Sequence, residues 1–411
     1  MTTNKRNLRL DVVGQAAAAF ITAEEPGTFS VAAHLHDIIN PELLQAASDD
    51  VFARLPYLSG TLKRGSFWFI HEVLAEPPII ARSDDSPAFS HYYYEGEGHV
   101  VRVLYSDTVI RVQAIHSIID GRSLAKVLMA LLIRYYELLG LDGLDKTGFI
   151  DCDMPYQREE SANCYTMFAQ PLTAGSRGTK QPPKRKVSAF HFTPSLPVEG
   201  HVISKSLDAR RVKQAARANN ATVTEYLIAT AFMEMRKERH LLGGTKPLGI
   251  SVPVDLRRFF PTESLRNFIV EQHLTAPETE DFSQMVSGIQ SQLHTSDQGE
   301  AQQAVNSMQW LFTVTRWLPL ALKATMWRLF KRRVRRKTSS TFSNLGHMDL
   351  PVTLAPHVQN LEFIISPQKH EGFALSVITL GDVLTLSISV GNDDSITPSE
   401  LLQRLDKHRL R

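Results

Sequence analysis

The feature that most constrains this fold is a strand hairpin that runs directly into a long amphipathic helix. Residues 100–105 and 109–115 are rich in β-branched residues and flank a polar turn at 106–108, which predicts two paired strands. Apolar residues then recur at helical spacing from 122 to 139. His116 ends the second strand, four residues before Asp120-Gly121. This junction predicts an α/β fold that holds one imidazole rigidly and leaves a ring nitrogen free for proton transfer.

Both halves of the chain mix strands with helices, and a length of 411 residues suggests more than one core. Thr222-Val223-Thr224-Glu225 is a capping-box sequence that predicts a helix after it. Residues 156–198 carry little periodicity and many Pro, Gly and basic residues. We therefore divide the chain into an N-terminal lobe (1–155), a linker or lid (156–198) and a C-terminal lobe (199–411). Further strands are predicted at 248–254, 339–345, 363–366, 373–380 and 383–390, the last two as a hairpin.

Composition and charge narrow the functional class. The net charge of +2 gives no global field to attract nucleic acid, so no nucleic-acid partner is expected. Cys152 and Cys164 provide neither a disulfide framework nor a zinc-ligand spacing. His34 and His36 share a strand face, but no third ligand accompanies them, and no metal site is predicted. The N-terminus imitates a secretory signal poorly because Asp11 interrupts its apolar run, and we expect a cytoplasmic enzyme.

Several segments together resemble one superfamily of enzymes. The segment HSIIDG at 116–121 matches an HxxxDG signature, VDLRR at 254–258 precedes LRNF at 265–268, and TFSNLG lies at 341–346. In sequence and order they resemble the condensation-domain and chloramphenicol acetyltransferase-like superfamily, which includes BAHD and alcohol O-acetyltransferase-like enzymes. The resemblance implies an α/β fold of two chloramphenicol-acetyltransferase-like lobes in a pseudo-dimeric sandwich with a central tunnel. Ile115 stands where many condensation domains carry another histidine, which tilts the function away from peptide-bond synthesis.

The resemblance also assigns roles to residues around the signature. His116 would be the general base, a role worth roughly 10²–10⁴ in rate. The alternative is a buried structural histidine whose nitrogens are satisfied by the backbone. Asp120 sits where a helix N-cap belongs, and the resemblance implies that it points away from the cavity and pairs with Arg257 to fix the turn. Gly121 is expected to let the backbone turn tightly beneath the strand.

A later segment offers candidate hydrogen-bond donors. Ser343 and Asn344 are predicted to donate to the thioester oxygen, as an oxyanion site, or to the pantetheine arm of the donor. The alternative is a turn that ends the strand before Gly346, with Asn344 closing it. The sequence leaves both interpretations open.

The expected activity is acyl transfer from a thioester to a hydroxyl acceptor, a small molecule or a lipid, in secondary metabolism. Acyl-CoA or the phosphopantetheine thioester of an acyl carrier protein would be the co-substrate, and no cofactor is expected to stay bound. No Ser or Cys sits in an activating motif, which favours direct transfer without an acyl-enzyme. Two alternatives are amide formation by a condensation-type N-acyltransferase and a non-catalytic homologue that binds a carrier protein.

One long stretch is basic without interruption. No acidic residue occurs between Ala301 and Met348, and large apolar residues alternate with the basic ones. Such a run is usually the solvated face of a helix. The functional alternatives are the phosphates of coenzyme A, an acidic carrier protein, and an anionic membrane surface contacted through residues 316–337. We favour a surface on the donor side or the membrane side. The basic residues are Arg316, Lys323, Arg328, Lys331, Arg332, Arg333, Arg335, Arg336 and Lys337.

Overall fold

Two large β-sheets with packed helices form the two lobes of this protein, and a small third sheet joins the first lobe. A computed structural model describes residues 7–22, 27–83, 98–170, 188–192, 201–293, 298–367, 371 and 373–390. Three consecutive tyrosines at 92–94 predict a short strand, and residues 184–186 form a basic run within the predicted linker. Both runs, and the linker residues 171–187 and 193–198, lie outside the described residues.

The described residues form fourteen strands and nine α-helices. In chain order the strands are β1 (Asn7–Arg9), β2 (Thr28–Leu35), β3 (Gly60–Arg64), β4 (Phe69–Val73), β5 (Ala81–Arg82), β6 (Val101–Tyr105), β7 (Val109–Ile115), β8 (His201–Asp208), β9 (Gly249–Asp255), β10 (Ile269–Thr275), β11 (Ser340–Met348), β12 (Val358–Ile365), β13 (Phe373–Leu380) and β14 (Val383–Val390). The helices are α1 (Val12–Phe20), α2 (Pro41–Arg54), α3 (Gly121–Leu138), α4 (Cys164–Met167), α5 (Ala209–Ala218), α6 (Val223–Leu241), α7 (Phe282–Leu293), α8 (Gln298–Val314) and α9 (Leu320–Arg335).

The first-lobe sheet contains the hairpin that the sequence predicts. Its strand order is β12-β2-β7-β6-β5, and β6 pairs with β7 in antiparallel register. The apolar face of α3 packs against β2 and β7, with Leu124, Leu128 and Leu131 buried. Gly140 follows the helix with a φ of +90°, a conformation that favours glycine at a helix end. The predicted strand–turn–helix order around His116 is therefore confirmed.

The second-lobe sheet belongs entirely to the C-terminal half. Its strand order is β10-β9-β11-β13-β14-β8, with the predicted hairpin of β13 and β14 near its middle. The capping box of α6 is also present, because Thr222 Oγ1 accepts from the Glu225 N–H and Glu225 Oε2 accepts from the Thr222 N–H. Both edge strands escaped prediction. Residues 206–208 are expected to lead into a helix, and they do, because Asp208 caps α5, but the sequence did not reveal that they also end β8. The polar segment of β10 has no clear apolar alternation.

Strand β12 ties the two lobes together. It comes from the predicted C-terminal lobe, yet it pairs in antiparallel register with β2 of the first sheet, where Leu361 lies opposite Ala33. Its other neighbours are β13 and β14, which it contacts across the seam between the lobes. The Ser376 hydroxyl, for example, donates to the Phe363 carbonyl at 2.6 Å. The sequence boundary at residue 199 therefore does not separate the sheets.

The N-terminal segment folds into the first lobe as α1. Asp11 caps this helix and accepts from the Gly14 N–H at 2.7 Å. It is the same residue that makes the N-terminus a poor match to a secretory signal. The helix contacts α9 and α8, and the neighbouring β1 joins β4 and β3 in the small third sheet. Among the residues described, no helix combines the length and the apolarity required to cross a bilayer.

Candidate active site

His116 is held through one ring nitrogen, and its other nitrogen has no partner among the residues that the structure describes. The residue directly follows β7, is partly buried, and packs against Phe29 with 5.0 Å between the ring centroids. Its Nδ1 lies 2.8 Å from the side-chain oxygen of Asn267. Nε2 makes no hydrogen bond within the described residues. A neutral imidazole with its proton on Nδ1 presents a lone pair at Nε2, as a general base requires.

The orientation of the Asn267 amide decides where that proton sits, and the neighbouring groups determine it. Asn267 Nδ2 donates to the backbone carbonyl of His116 at 3.4 Å. The same side chain lies close enough to Asp11 to lower the pKa of that carboxyl. Carbonyl and carboxylate oxygens both require a donor, so Nδ2 faces them and Oδ1 faces the ring. His116 Nδ1 is therefore the donor in the 2.8 Å contact.

A buried ion pair lies behind Asn267. Asp11 is fully buried and also accepts from the guanidinium of Arg266, at 3.2 Å. Burial raises the pKa of Asp11, while Arg266, the Gly14 N–H, Asn267 and His116 oppose the rise. Asn267 therefore lies between the His116 ring and this buried ion pair.

Asp120 and Arg257 form the ion pair expected from the resemblance. Arg257 Nη1 lies 2.8 Å from Asp120 Oδ2, and Asp120 Oδ1 accepts from the Ser123 N–H at 3.0 Å as the cap of α3. Arg257 also contacts Asp255 and the carbonyl of Ser264. Burial alone would raise the pKa of Asp120, but the Arg257 charge and the Ser123 N–H outweigh it, and the pKa is lowered. Asp120 stays ionised and bonds to the second half of the chain.

Two glycines allow other elements to approach the His116 turn closely. A Cβ added to Gly14 would lie 2.0 Å from the Ser117 carbonyl oxygen, so α1 touches the turn through its backbone. At Gly121 a Cβ would meet Leu345 at 3.1 Å and Phe363 at 3.2 Å. Gly121 has no left-handed φ, so the expected tight turn is not what requires a glycine here. A glycine is required because the start of α3 packs closely on β11 and β12.

Ser343 and Asn344 point to opposite faces of β11, since successive side chains alternate along a strand. Asn344 Nδ2 donates to Thr224 of α6 at 3.0 Å, and its Oδ1 accepts from the Gly346 N–H at 2.8 Å. These contacts favour the turn-closing alternative for Asn344. Ser343 is buried on the face of the sheet that does not carry Asn344. On that face it pairs with Ser376 of β13. Neither residue hydrogen-bonds His116 within the described part of the chain.

The second-lobe face that carries Ser343 is lined with hydroxyls. Ser376 pairs with Ser343 and shares this face. The face turns toward the first lobe, because the Ser376 hydroxyl donates to a carbonyl of β12. The hydroxyls of Thr385 and Ser389 are buried and have no partner among the described residues. This face therefore brings polar groups with free hydrogen-bonding capacity to the seam between the lobes. Its hydroxyl residues, by strand register, are Thr341, Ser343, Ser376, Thr385, Ser387, Ser389, Ser204 and Ser206.

The two histidines at 34 and 36 do not converge on a common site. His34 Nε2 lies 3.9 Å from Glu362, which also binds Arg111 at 2.8 Å, while His36 lies beyond the end of β2 near Gln359. Burial alone would raise the pKa of Glu362, but His34 and Arg111 lower it to about 2. No cluster of three metal-ligating side chains occurs in the described residues. Both cysteines are free thiols.

Asp11, Gly14 and Asn267 are the residues of this site that sequence reasoning missed. Asn267 lies in the LRNF segment that carries part of the resemblance, but no role was derived for it. Asp11 precedes a short apolar run, which is a signal for a helix N-cap. No local pattern indicates that either residue lies near His116, because the nearest of them in sequence is about a hundred residues away.

No family model and no curated protein sequence matches the chain. Solved structures do match it over almost its whole length. The trichothecene 15-O-acetyltransferase TRI3 of Fusarium sporotrichioides has a TM-score of 0.65 at 12% identity, and covers 98% of this chain and 93% of that one. The polyketide synthase associated protein 5 of Mycobacterium tuberculosis has a TM-score of 0.60 at 15% identity, with coverages of 98% and 96%.

A further match is TRI101 of F. graminearum, solved with coenzyme A and deoxynivalenol. Its TM-score is 0.59 at 12% identity, with 98% of this chain and 97% of that one covered. The HxxxDG junction, the lobe-crossing strand β12 and these similarities agree. The chain therefore has the two-lobed α/β fold of the condensation-domain and chloramphenicol acetyltransferase-like superfamily.

Proposed function

We propose that this protein transfers an acyl group from a thioester donor to a hydroxyl acceptor, with His116 as the general base. The observation that carries the proposal is the hydrogen bond from His116 Nδ1 to Asn267 Oδ1 at 2.8 Å, while Nε2 has no partner in the described part of the chain. A structural histidine would use both nitrogens in the packed interior, as a buried polar group normally does. Within the described residues, His116 instead keeps one basic nitrogen free at the seam between the lobes.

The reaction proceeds in one transfer step through a tetrahedral intermediate. His116 Nε2 takes the proton of the acceptor hydroxyl as the oxygen attacks the thioester carbonyl carbon. The carbonyl oxygen becomes negative, and Asp11 stabilises the positive charge on the imidazolium through Asn267. When the C–S bond breaks, the ester is released and the thiolate takes the proton from Nε2. No acyl-enzyme forms.

Asp120, Arg257 and Gly121 hold the turn that carries His116. The Asp120–Arg257 pair links the start of α3 to the segment before Asn267. It therefore keeps His116 aligned with Asn267, which accepts the hydrogen bond from the ring. Gly121 lets α3 approach β11. Their contribution is positional, and they do not touch the reacting atoms.

Ser343 is the proposed donor to the thioester oxygen. It lies on the hydroxyl-lined face, and hydroxyls of this kind also suit the amides of a pantetheine arm in a tunnel between the lobes. Asn344 was the other candidate donor, but its amide is occupied by Thr224 and Gly346. Replacing Ser343 by Ala is expected to lower turnover by about 10²–10³-fold, the usual cost of losing an oxyanion donor.

The donor is acyl-CoA or the phosphopantetheine thioester of a carrier protein, which share the same pantetheine chemistry. The acceptor is a small-molecule or lipid alcohol, and the setting is a cytoplasmic pathway of secondary metabolism. TRI101, whose structure contains coenzyme A, supports the soluble donor, and the polyketide synthase associated protein supports a carrier-bound one.

The test is release of free thiol from acyl-CoA esters and from acylated carrier protein, with panels of alcohols and amines. The proposal is supported if the protein turns over alcohols and if His116→Ala lowers this turnover by roughly 10²–10⁴-fold. His347→Ala is the matched control, since His347 is exposed and pairs with Asp349. Turnover with amines alone would select amide formation. Tight carrier binding without turnover would select the non-catalytic module, and activity unchanged by His116→Ala would refute His116 as the base.

A further inference from the structure

Large apolar side chains are exposed on α9 and on the turn before it. Trp317 is 74% exposed and Phe330 is 64% exposed, values far above those of side chains in a packed interface. Leu322 and Leu329 are spaced by seven residues and are exposed on the same side of α9. Together with Leu318 they form what we call the α9 apolar surface. Several large apolar side chains exposed on one short segment mark an interaction site more often than a single exposed residue does.

The opposite side of α9 is already packed, so the helix is apolar on two faces. Leu320, Ala324 and Trp327 are buried against the first lobe. Lys323 is fully buried, with its Nζ 3.1 Å from the centroid of the Trp68 ring. Because the inner face alone holds α9 in place, folding of the described residues does not require the α9 apolar surface.

The basic residues divide between these two faces. On the inner side Arg328 donates to the Ala19 carbonyl at 3.0 Å, and Lys331 lies 4.4 Å from the Phe20 ring. On the outer side Arg332, Arg333 and Arg336 are exposed and make no ion pair within the part of the chain that the structure describes. No acidic residue occurs in this region to balance them. The outer side of α9 therefore combines positive charge with exposed apolar residues.

We propose that the α9 apolar surface docks on an anionic membrane surface. A helix with Trp, Phe and Leu beside Arg lies at the lipid interface with its apolar residues among the acyl chains and its charges at the headgroups. Trp317, in the turn before the helix, is the residue type enriched at that interface. An acidic carrier protein would satisfy the charges, but it would not account for so many large, exposed apolar side chains.

The experiment measures binding of the full chain to vesicles by co-sedimentation. Vesicles of phosphatidylcholine alone are compared with vesicles that contain about 30% phosphatidylserine, at about 50 mM and about 300 mM salt. The protein is expected to bind the anionic vesicles, to bind less at the higher salt, and to bind neutral vesicles at least about tenfold more weakly. Equal binding to both vesicle types, or no binding, would overturn the proposal.

Two double variants separate the apolar and the charged contributions. Trp317→Ser with Phe330→Ser is expected to weaken vesicle binding at least about tenfold, since each side chain buries much apolar area in the lipid. Its control is Ile79→Ser with Val352→Ser, which removes equally exposed apolar residues elsewhere.

Arg332→Gln with Arg333→Gln is expected to weaken binding about 25-fold, from roughly fivefold per charge. Its control is Lys213→Gln with Arg217→Gln on α5, which should bind as the unmodified protein does. The membrane assignment would be overturned if vesicles do not bind and Trp317 and Phe330 are instead needed for binding an acidic carrier protein or for dimerisation. Turnover with soluble substrates is expected to be unchanged in all four variants, so this test stands apart from the proposed function.

Discussion

Replacing Asn267 by Ala tests whether His116 depends on the amide that orients it. The substitution removes the oxygen that accepts from Nδ1 at 2.8 Å and the Nδ2 that reaches the His116 carbonyl at 3.4 Å. The Nδ1 bond strengthens when the ring becomes charged, because hydrogen bonds to charged groups contribute about 1.5–3 kcal/mol and neutral ones about 0.5–1.5. The loss should therefore appear in the transition state, and in kcat more than in KM.

The size of the effect follows from that hydrogen bond. Only the strengthening of the bond between the neutral and the charged ring enters kcat, and a loss of about 1–1.5 kcal/mol lowers kcat by about 5- to 13-fold. The general base itself contributes roughly 10²–10⁴-fold, which sets the ceiling for any residue that acts through it. Asn267→Ala should consequently cost no more than His116→Ala.

The assay is steady-state thiol release, with thermal unfolding measured alongside. Asn306→Ala is the matched control, since Asn306 is also a buried asparagine that makes two hydrogen bonds, both accepted by its Oδ1, at 2.8 and 3.0 Å. The decisive protein carries both His116→Ala and Asn267→Ala. If Asn267 acts only through the ring, this double variant turns over as slowly as His116→Ala alone. The reasoning would be refuted if the double variant loses the product of the two single kcat reductions, or if the Asn267→Ala protein keeps full kcat.

Three further predictions concern stability, each measured by urea unfolding. Gly14→Ala should destabilise the protein, although Gly to Ala in a helix usually gains about 1 kcal/mol, because the new Cβ would lie 2.0 Å from the Ser117 oxygen; a stabilised variant would contradict the close approach. Asp120→Asn should cost up to about 3–5 kcal/mol, because it removes the buried carboxylate that faces Arg257 and leaves this guanidinium only the more exposed Asp255; unchanged stability with a selective loss of turnover would instead give Asp120 a direct role in proton transfer. Burial and Arg9 lower the pKa of Lys323 to about 8 from its usual 10.5, so the unfolded chain binds more protons between these values and stability rises with pH across that window. Lys323→Met should abolish this rise, and an identical pH profile in the variant would show that the lysine is not responsible.

Local sequence patterns predicted the elements around His116 well. The hairpin of β6 and β7, the helix α3 and the capping box of Thr222 are contiguous in the chain, so their determinants lie within a few residues. The ion pair between Asp120 and Arg257 was expected from the resemblance, and its contact is present at 2.8 Å. The catalytic role of His116 itself stays a prediction until turnover is measured.

The parts that sequence did not reveal depend on contacts between distant segments. Asn267 reaches His116 across 151 positions, and Arg266 reaches Asp11 across 255. Strand β12 carries no pattern that distinguishes the first sheet from the second, since it is buried from both sides. At Gly121 the sequence indicated a tight turn, whereas the constraint is the space taken by Leu345 and Phe363. Such constraints are set by the assembled core and by no short motif.

The position of β12 in the chain has a consequence for synthesis on the ribosome. When α3 is finished at Leu138, more than half of the 411 residues are still to be added, including the strand that pairs with β2. At about 5–20 residues per second, that edge of the first sheet stays unpaired for roughly 10 to 50 seconds. An open strand edge is prone to pair with other chains. The edge of β2 is therefore open to intermolecular pairing until residue 365 has left the exit tunnel.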